Sequence, residues 1–129
     1  YIKGGNGGDG ANKFEDNKGN SSPAWMGLNG GNGATAIICH DVYLNGKNIT
    51  IIGGNGGKGG DSKNDGFFGV SVGVKNGAGG NGGNGINYSG SYSNNTSNSS
   101  INGGSKGVQG TGGLNSKDGN DGYPTKNTK

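Results

Sequence analysis

The residues able to do chemistry are few and far apart. His40 is the single histidine and Cys39 the single cysteine. Side by side they have the composition of a thiol–imidazole pair. Adjacent residues of a strand point to opposite faces, so the spacing argues against a dyad. No carboxylate pair stands near an activated nucleophile. One cysteine excludes an intramolecular disulfide and a cysteine metal site, and Cys39 reads as a small buried hydrophobe. Asp9 and Asp61 are the candidates for calcium. Residues 4–12 match the repeat Gly-Gly-x-Gly-x-Asp-x-U-x with Ala11 at its apolar position, and residues 56–61 match its first six positions before Lys63 takes the apolar site. Calcium sites of that kind are shared between successive copies, and these copies stand apart. Polar residues at the ends of glycine runs are the simpler reading. Gly5-Asn6-Gly7-Gly8-Asp9-Gly10 matches Gly-x-Gly-x-x-Gly, but it bridges no strand and helix, and Gly46-Lys47 is followed by Asn48 rather than Ser or Thr. Neither is a nucleotide site, and no cofactor motif is present.

Binding is better provided for than catalysis. Residues 86–100 are rich in Ser, Asn and Tyr, the composition of adaptable contact loops. Tyr88, Tyr92, Asn94 and Asn95 are the candidate binding residues there, and Trp25, Phe67 and Phe68 are further aromatics that a surface would use. Asn-x-Ser/Thr sequons occur at Asn20, Asn48, Asn87, Asn94, Asn95 and Asn98, four of them within 87–98. The net charge of +3 comes from scattered lysines, with no arginine. That excludes a phosphate-gripping stripe with interleaved aromatics, and with it a nucleic-acid partner. No apolar stretch approaches the roughly 18 residues that span a bilayer, so membrane insertion is not expected.

These residues need a frame, and an aliphatic core cannot supply it. Glycine makes up 35 of 129 residues and asparagine 21, while hydrophobic residues make up 25%. If the chain is ordered, the order must come from backbone hydrogen bonding, which is independent of side chain. The glycines are clustered. Gly-Gly-Asn-Gly begins at Gly4, Gly30, Gly53 and Gly79, and a degenerate copy begins at Gly103. Ile2, Leu28, Ile52 and Ile101 lie just upstream of four of the five copies. Within the runs glycine recurs every third residue. Gly4 and Gly7, Gly30 and Gly33, Gly53 and Gly56, Gly54 and Gly57, Gly79 and Gly82, and Gly80 and Gly83 are the scaffold glycines of this pattern. Period three fits neither a helix nor a strand. It fits a polyproline-II conformation, which has no internal hydrogen bonds and must bond to neighbouring chains. Bare backbone edges then pack, and polar X residues such as Asn6, Asn55, Lys58, Asn81 and Asn84 face water.

The expected fold is therefore non-α: a bundle of about five polyglycine-II helices built from the Gly-Gly-X runs, with short β-strands and irregular loops between them. Residues 1–129 form a single repeat domain of about five units of roughly 25 residues, part of a longer protein. Residues 34–52 are the best β segment, with Asn45-Gly46 as a hairpin signal. Residues 67–74 alternate as a second strand, residues 12–25 form an irregular loop, and residues 86–100 an exposed one.

The period-three Gly-Gly-X runs resemble those of three groups of glycine-rich bundle proteins. One is the tail-fibre-tip adhesins of T-even-type bacteriophages, which alternate such runs with variable receptor-binding segments. The others are the snow flea antifreeze proteins and the mycobacterial surface proteins with Gly-Gly-Asn repeats. The alternation of constant runs with dissimilar connections is most similar to the adhesin plan. The resemblance implies a non-enzymatic structural or adhesive module, extracellular or on a cell or virion surface. Its partners would be a cell-surface receptor or neighbouring copies of itself. Ice binding and a calcium-dependent repeat module are the alternatives.

Overall fold

The computed structural model describes residues 1–11, 24–25, 27–64, 75–114 and 116–129. No helix occurs among them. Ten short strands do: β1 (Ile2–Lys3), β2 (Ala24–Trp25), β3 (Ile37–Cys39), β4 (Val42–Lys47), β5 (Thr50–Ile52), β6 (Lys63–Asn64), β7 (Ile86–Tyr88), β8 (Tyr92–Ser97), β9 (Ser100–Asn102) and β10 (Thr125–Asn127). This corrects the expected bundle of polyglycine-II helices. The regular structure is β, most of it in parallel sheets ordered β1-β5-β9, β10-β7-β3 and β4-β8, with β2-β6 antiparallel. The physical reason lies in the aliphatic residues that flank the glycines. Ile2 pairs Ile51, which pairs Ile101, while Ile37 pairs Ile86. β-Branched side chains in register favour strands, and the period of three demands only that every third residue meet a neighbour.

Between the strands the glycine runs are bonded to one another laterally. In one layer, Gly4, Gly7 and Gly10 donate to the carbonyls of Ile52, Asn55 and Lys58. Gly53, Gly56 and Gly59 donate in turn to Asn102, Ser105 and Val108. In the second layer, Gly30 and Gly33 donate to Ala78 and Asn81, and Gly79 and Gly82 to Lys117 and Asn120. Both indices rise together, so runs within a layer are parallel. Across the layers they fall as the other rises: Gly54, Gly57 and Gly60 donate to Ala34, Gly31 and Leu28. The layers are antiparallel. Side-chain partners on equivalent positions are separated by 49 or 50 residues, and by 39 where the second layer reaches its last run, so one coil of the stack contains two glycine runs.

Among the described residues the aliphatic core is small. Val42, Ile51 and Ile86 are buried, and Ile37, Cys39, Leu44, Ile49, Tyr88, Tyr92 and Ile101 pack against them. Two local expectations change with it. Asn45-Gly46 is no hairpin turn but the middle of β4, which pairs in parallel with β8 rather than folding back on β5. The corner falls at Asn48 (φ 58°) and, one coil on, at Asn98 (φ 49°). Asparagine tolerates this left-handed backbone better than most residues. Residues 86–100 are not an exposed loop but β7, β8 and β9. The strand expected at 67–74 and residues 12–23 of the expected loop lie outside the described residues.

The scaffold glycines share one environment, a carbonyl oxygen of another run at the place of the missing Cβ. A Cβ on Gly56 would lie 2.0 Å from the Gly80 carbonyl oxygen, and one on Gly54 1.9 Å from that of Gly5. Gly56→Val should therefore lower stability by about 3 kcal/mol or more, beyond ordinary core overpacking. Asn55 is exposed, and Asn55→Val loses only the cap its Oδ1 gives the Ser105 N–H, about 1 kcal/mol. Urea unfolding of the two variants measures the difference; equal midpoints would contradict this packing.

Candidate functional site

The candidate residues of 86–100 are brought to the corners where the runs turn but are not alike. Tyr88 and Tyr92 are half-buried with ring centroids 5.2 Å apart, and both pack on the aliphatic core. They are structural walls before they are contact surface. Asn94 and Asn95 are exposed on β8. The strand alternates, so Tyr92, Asn94 and Thr96 share the face of Val42 and Leu44, while Ser93, Asn95 and Ser97 lie opposite Tyr43, Asn45 and Lys47 on the outer face. Tyr43 is 74% exposed there. The outer face of the β4·β8 pair is thus a small plate of one aromatic, one lysine and four short polar residues. Tyr43, Asn45 and Lys47 were missed by sequence reasoning. Their signal was the alternation of 42–47, which places Val42 and Leu44 inward.

The corner before this plate carries the ionisable residues. His40 is exposed, and its Nδ1 lies 2.9 Å from Ser89 Oγ. The His40 carbonyl accepts from Gly90, and Asp41 Oδ1 accepts from the Ser91 N–H. These contacts tie the corner of one coil to the same corner of the next. Cys39 is half-buried with Sγ 3.9 Å from the Asn87 carbonyl oxygen.

The polar X residues form ladders across the runs. Asn6 Oδ1 accepts from the Asn55 N–H, and Asn55 Oδ1 from Ser105. On the other face Asn32 Oδ1 accepts from Asn81, and Asn81 Oδ1 from Asn120. Each side chain satisfies the outward N–H of the next run, the logic of an N-cap repeated along a layer. Asp9 and Asp61 belong to these ladders. Asp9 Oδ1 accepts from the Lys58 N–H, and Asp61 Oδ1 from the Thr111 N–H and from Lys58 Nζ at 3.1 Å. Among the described residues no group of three or more His, Cys, Asp or Glu side chains could hold a metal ion. A shallow polar cleft of about 450 Å³ lies between two runs, lined by Asn81, Asn84, Asn120, Asp121, Tyr123 and Lys126.

At the last coil the ladder changes character. Asp121 Oδ1 accepts from the Lys106 N–H at 2.8 Å and Asp118 Oδ1 from the Gln109 N–H at 3.0 Å, while Lys106 Nζ lies 3.1 Å from Asp118 Oδ2. The backbone N–H of Gln109, then Lys106, holds the Asp118 carboxyl below its ordinary value of 3.8. The Thr111 N–H, then Lys58, does the same for Asp61. No helix among the described residues is long and apolar enough to cross a membrane.

Comparison with known proteins gives little. No family model and no curated protein matches the chain. Among solved structures, a springtail antifreeze protein from Granisotoma rainieri is similar at 22% identity. That protein is a bundle of nine polyproline type II helices whose crystal waters match the ice lattice. The alignment covers 92% of this chain and 94% of that one, with a TM-score of 0.19. It is a weak neighbour from one of the three groups the glycine runs resemble. No family or sequence match supports the phage or mycobacterial groups.

The two depressed carboxylates set a pH dependence. Because folding favours their charged forms, their contribution is present above pH 3.8 and is lost as pH falls through the lower folded values. Asp61→Asn/Asp118→Asn keeps amide oxygens for the N–H groups but not the charge. Thermal melts should show the double variant less stable than the parent at pH 6, with the gap closing towards pH 2. A gap that stays constant across that range would contradict the assignment.

Proposed function

We propose that this chain is a non-enzymatic structural and adhesive module of the extracellular space, or of a cell or virion surface. The glycine runs are its frame, and the outer face of β4·β8 is its contact surface for a cell-surface receptor or a neighbouring copy. One observation carries this reading: six side chains, Tyr43, Asn45, Lys47, Ser93, Asn95 and Ser97, are held outward in strand register on a frame that does not use them. A flat plate with one exposed aromatic and several short hydrogen-bonding groups costs little conformational entropy to dock.

Ice binding is the second reading, and a different feature favours it. The ladders Asn32–Asn81–Asn120 and Asn6–Asn55–Ser105 set polar side chains in regular rows on the two broad faces. Against it, the neighbouring rows contain the Lys58–Asp61 ion pair and Lys117, and charged groups hold water in shells that do not match a regular solid.

The two readings separate by mutation. Tyr43→Ala/Asn95→Ala should weaken attachment of the protein to its target surface about tenfold, the loss of one hot spot, while stability changes by less than about 0.5 kcal/mol as for other exposed sites. Beads coated with parent or variant and scored for adhesion to candidate cell surfaces measure this. If adhesion is unchanged and Asn81→Lys abolishes a freezing-point depression shown by the parent, the broad face is the working surface instead.

A further inference from the structure

We propose that Asn102 is the site at which the folded chain deamidates, converting to aspartate and isoaspartate through a succinimide closed by the Gly103 amide nitrogen. The chain contains nine Asn-Gly pairs. This dipeptide suits the reaction best, because glycine has no Cβ to obstruct the approach of its nitrogen to the side chain before it. A base in the solvent removes the Gly103 amide proton, and the nitrogen bonds to Asn102 Cγ. The side-chain nitrogen takes up a proton from solvent and leaves as ammonia. Water then adds to one carbonyl of the ring and opens it. The carboxylate is left on the side chain, giving aspartate, or on the main chain, giving isoaspartate. Two atoms must meet for this, and the fold holds them apart at most of the nine pairs.

At Asn6, Asn29, Asn32, Asn55, Asn81 and Asn84 one residue of the next run holds both reacting groups. Gly7 donates its N–H to the Asn55 carbonyl, and Asn6 Oδ1 accepts the Asn55 N–H. Asn32 and Gly33 hold Asn81 in the same way, and Asn81 and Gly82 hold Asn120. The pairs that begin at Asn29, Asn55 and Asn84 do so with Ala78, Ser105 and Tyr123. Each side chain is drawn across to the neighbouring run, and each glycine proton is committed to a carbonyl. Attack would break both bonds. Asn76 is buried, its amide bonded to Ser62 and Gly113, while Gly77 donates to Gly60. Gly46, after Asn45, is paired with Thr96 inside the β4·β8 ladder.

Asn102-Gly103 opens the last run of its layer. Gly4 donates to Ile52 and Gly53 to Asn102, but Gly103, third in that series, has no further run to donate to among the described residues. The next outward N–H groups of the same run, those of Lys106 and Gln109, are taken up by the carboxylates of Asp121 and Asp118. The step of three on each side brings Pro124 opposite Gly103, and proline has no side-chain acceptor. Among the described residues neither the Gly103 N–H nor the Asn102 side chain has a hydrogen-bond partner, and Asn102 is exposed. Residues 12–23 and 65–74 follow Ala11 and Asn64, at the other end of the runs from Gly4, Gly53 and Gly103. Conversion places a carboxylate at the edge of the row Lys3–Ile52–Asn102. Isoaspartate also lengthens the backbone beside the carbonyl that accepts from Gly53.

The test incubates the whole folded chain at mildly alkaline pH and scores each Asn-Gly peptide by mass spectrometry for loss of ammonia and gain of water. Glycine follows in all nine pairs, so differences in rate report the fold rather than the neighbouring residue. Asn102 should convert at least about tenfold faster than each of the six clasped asparagines, where two more hydrogen bonds must open. In urea sufficient to unfold the chain the nine rates should converge. Pro124→Asp, which sets a carboxylate opposite Gly103, should slow conversion at Asn102 and leave the other sites unchanged. Asn102→Gln, an exposed substitution, should remove the fast phase of ammonia release without changing the melting temperature. Conversion of Asn102 no faster than that of the clasped six, conversion of Asn45 ahead of it, or a ranking that persists in urea would overturn the proposal. So would a fast phase that survives Asn102→Gln.

Discussion

Everything in this structure depends on carbonyl oxygens lying about 2 Å from where neighbouring glycines would carry a Cβ. No other residue allows that approach. It brings N–H and C=O groups of different runs to 2.7–3.0 Å across most of both layers, and it explains how the described residues, with three buried hydrophobic side chains among them, hold a defined shape. Fixing a backbone costs roughly 1–2 kcal/mol per residue, and a hydrogen bond returns a net of about 0.5–1.5 kcal/mol. A single run is therefore unstable alone. Stability comes only when each run has neighbours on two or three sides, as in other stacked repeats.

The side chains that remain are freed for other tasks, and the structure sorts them. Aliphatic and aromatic residues gather where the runs turn, so that Ile51, Ile86 and Val42 pin the corners with Tyr88 and Tyr92 beside them. Short polar residues on the broad faces satisfy the N–H groups that point to water, and Asn or Asp serves because its Oδ1 reaches one run across. Residues meeting neither need, Tyr43 and Asn95 among them, point outward from β4 and β8.

Part of this was legible in the sequence. The period of three gave the spacing of lateral donors at Gly4, Gly7 and Gly10, and the polar X residues were read as facing water. The secondary structure was not. Asn45-Gly46 looks like a hairpin in isolation, but the outward and inward alternation of β4 is satisfied by pairing with a strand 50 residues away. That partner, Tyr92–Ser97, has too few β-branched residues to announce itself. The 49- to 50-residue coil was also hidden, because its two runs read alike while the connections between coils share register rather than residue type. Tyr88 and Tyr92 were read as contact aromatics since Ser and Asn surround them in sequence. In space both pack on the cluster of Val42, Ile51 and Ile86.

The lateral bonds also give the stack a direction. Along both layers the in-layer N–H groups point towards the last coil and the carbonyls towards the first. Aligned peptide dipoles leave partial positive charge where donors end and partial negative charge where acceptors end, as in a helix. The replacement of glycine by Asp118 and Asp121 at the donor end follows from that polarity. A carboxylate there accepts an N–H, opposes the partial charge and places a Cβ where another run would have to pass. Asparagine would do the first of these and not the second; the interior ladders mix Asn6, Asn32, Asn55 and Asn81 with Asp9 and Asp61, whereas both residues that replace these glycines are aspartate. At the acceptor end Ala34 stands where the next coil has Gly83, a position at which a Cβ would lie 2.1 Å from the carbonyl oxygen of the preceding run. Both ends of the stack thus carry a side chain at positions where the neighbouring coil carries glycine.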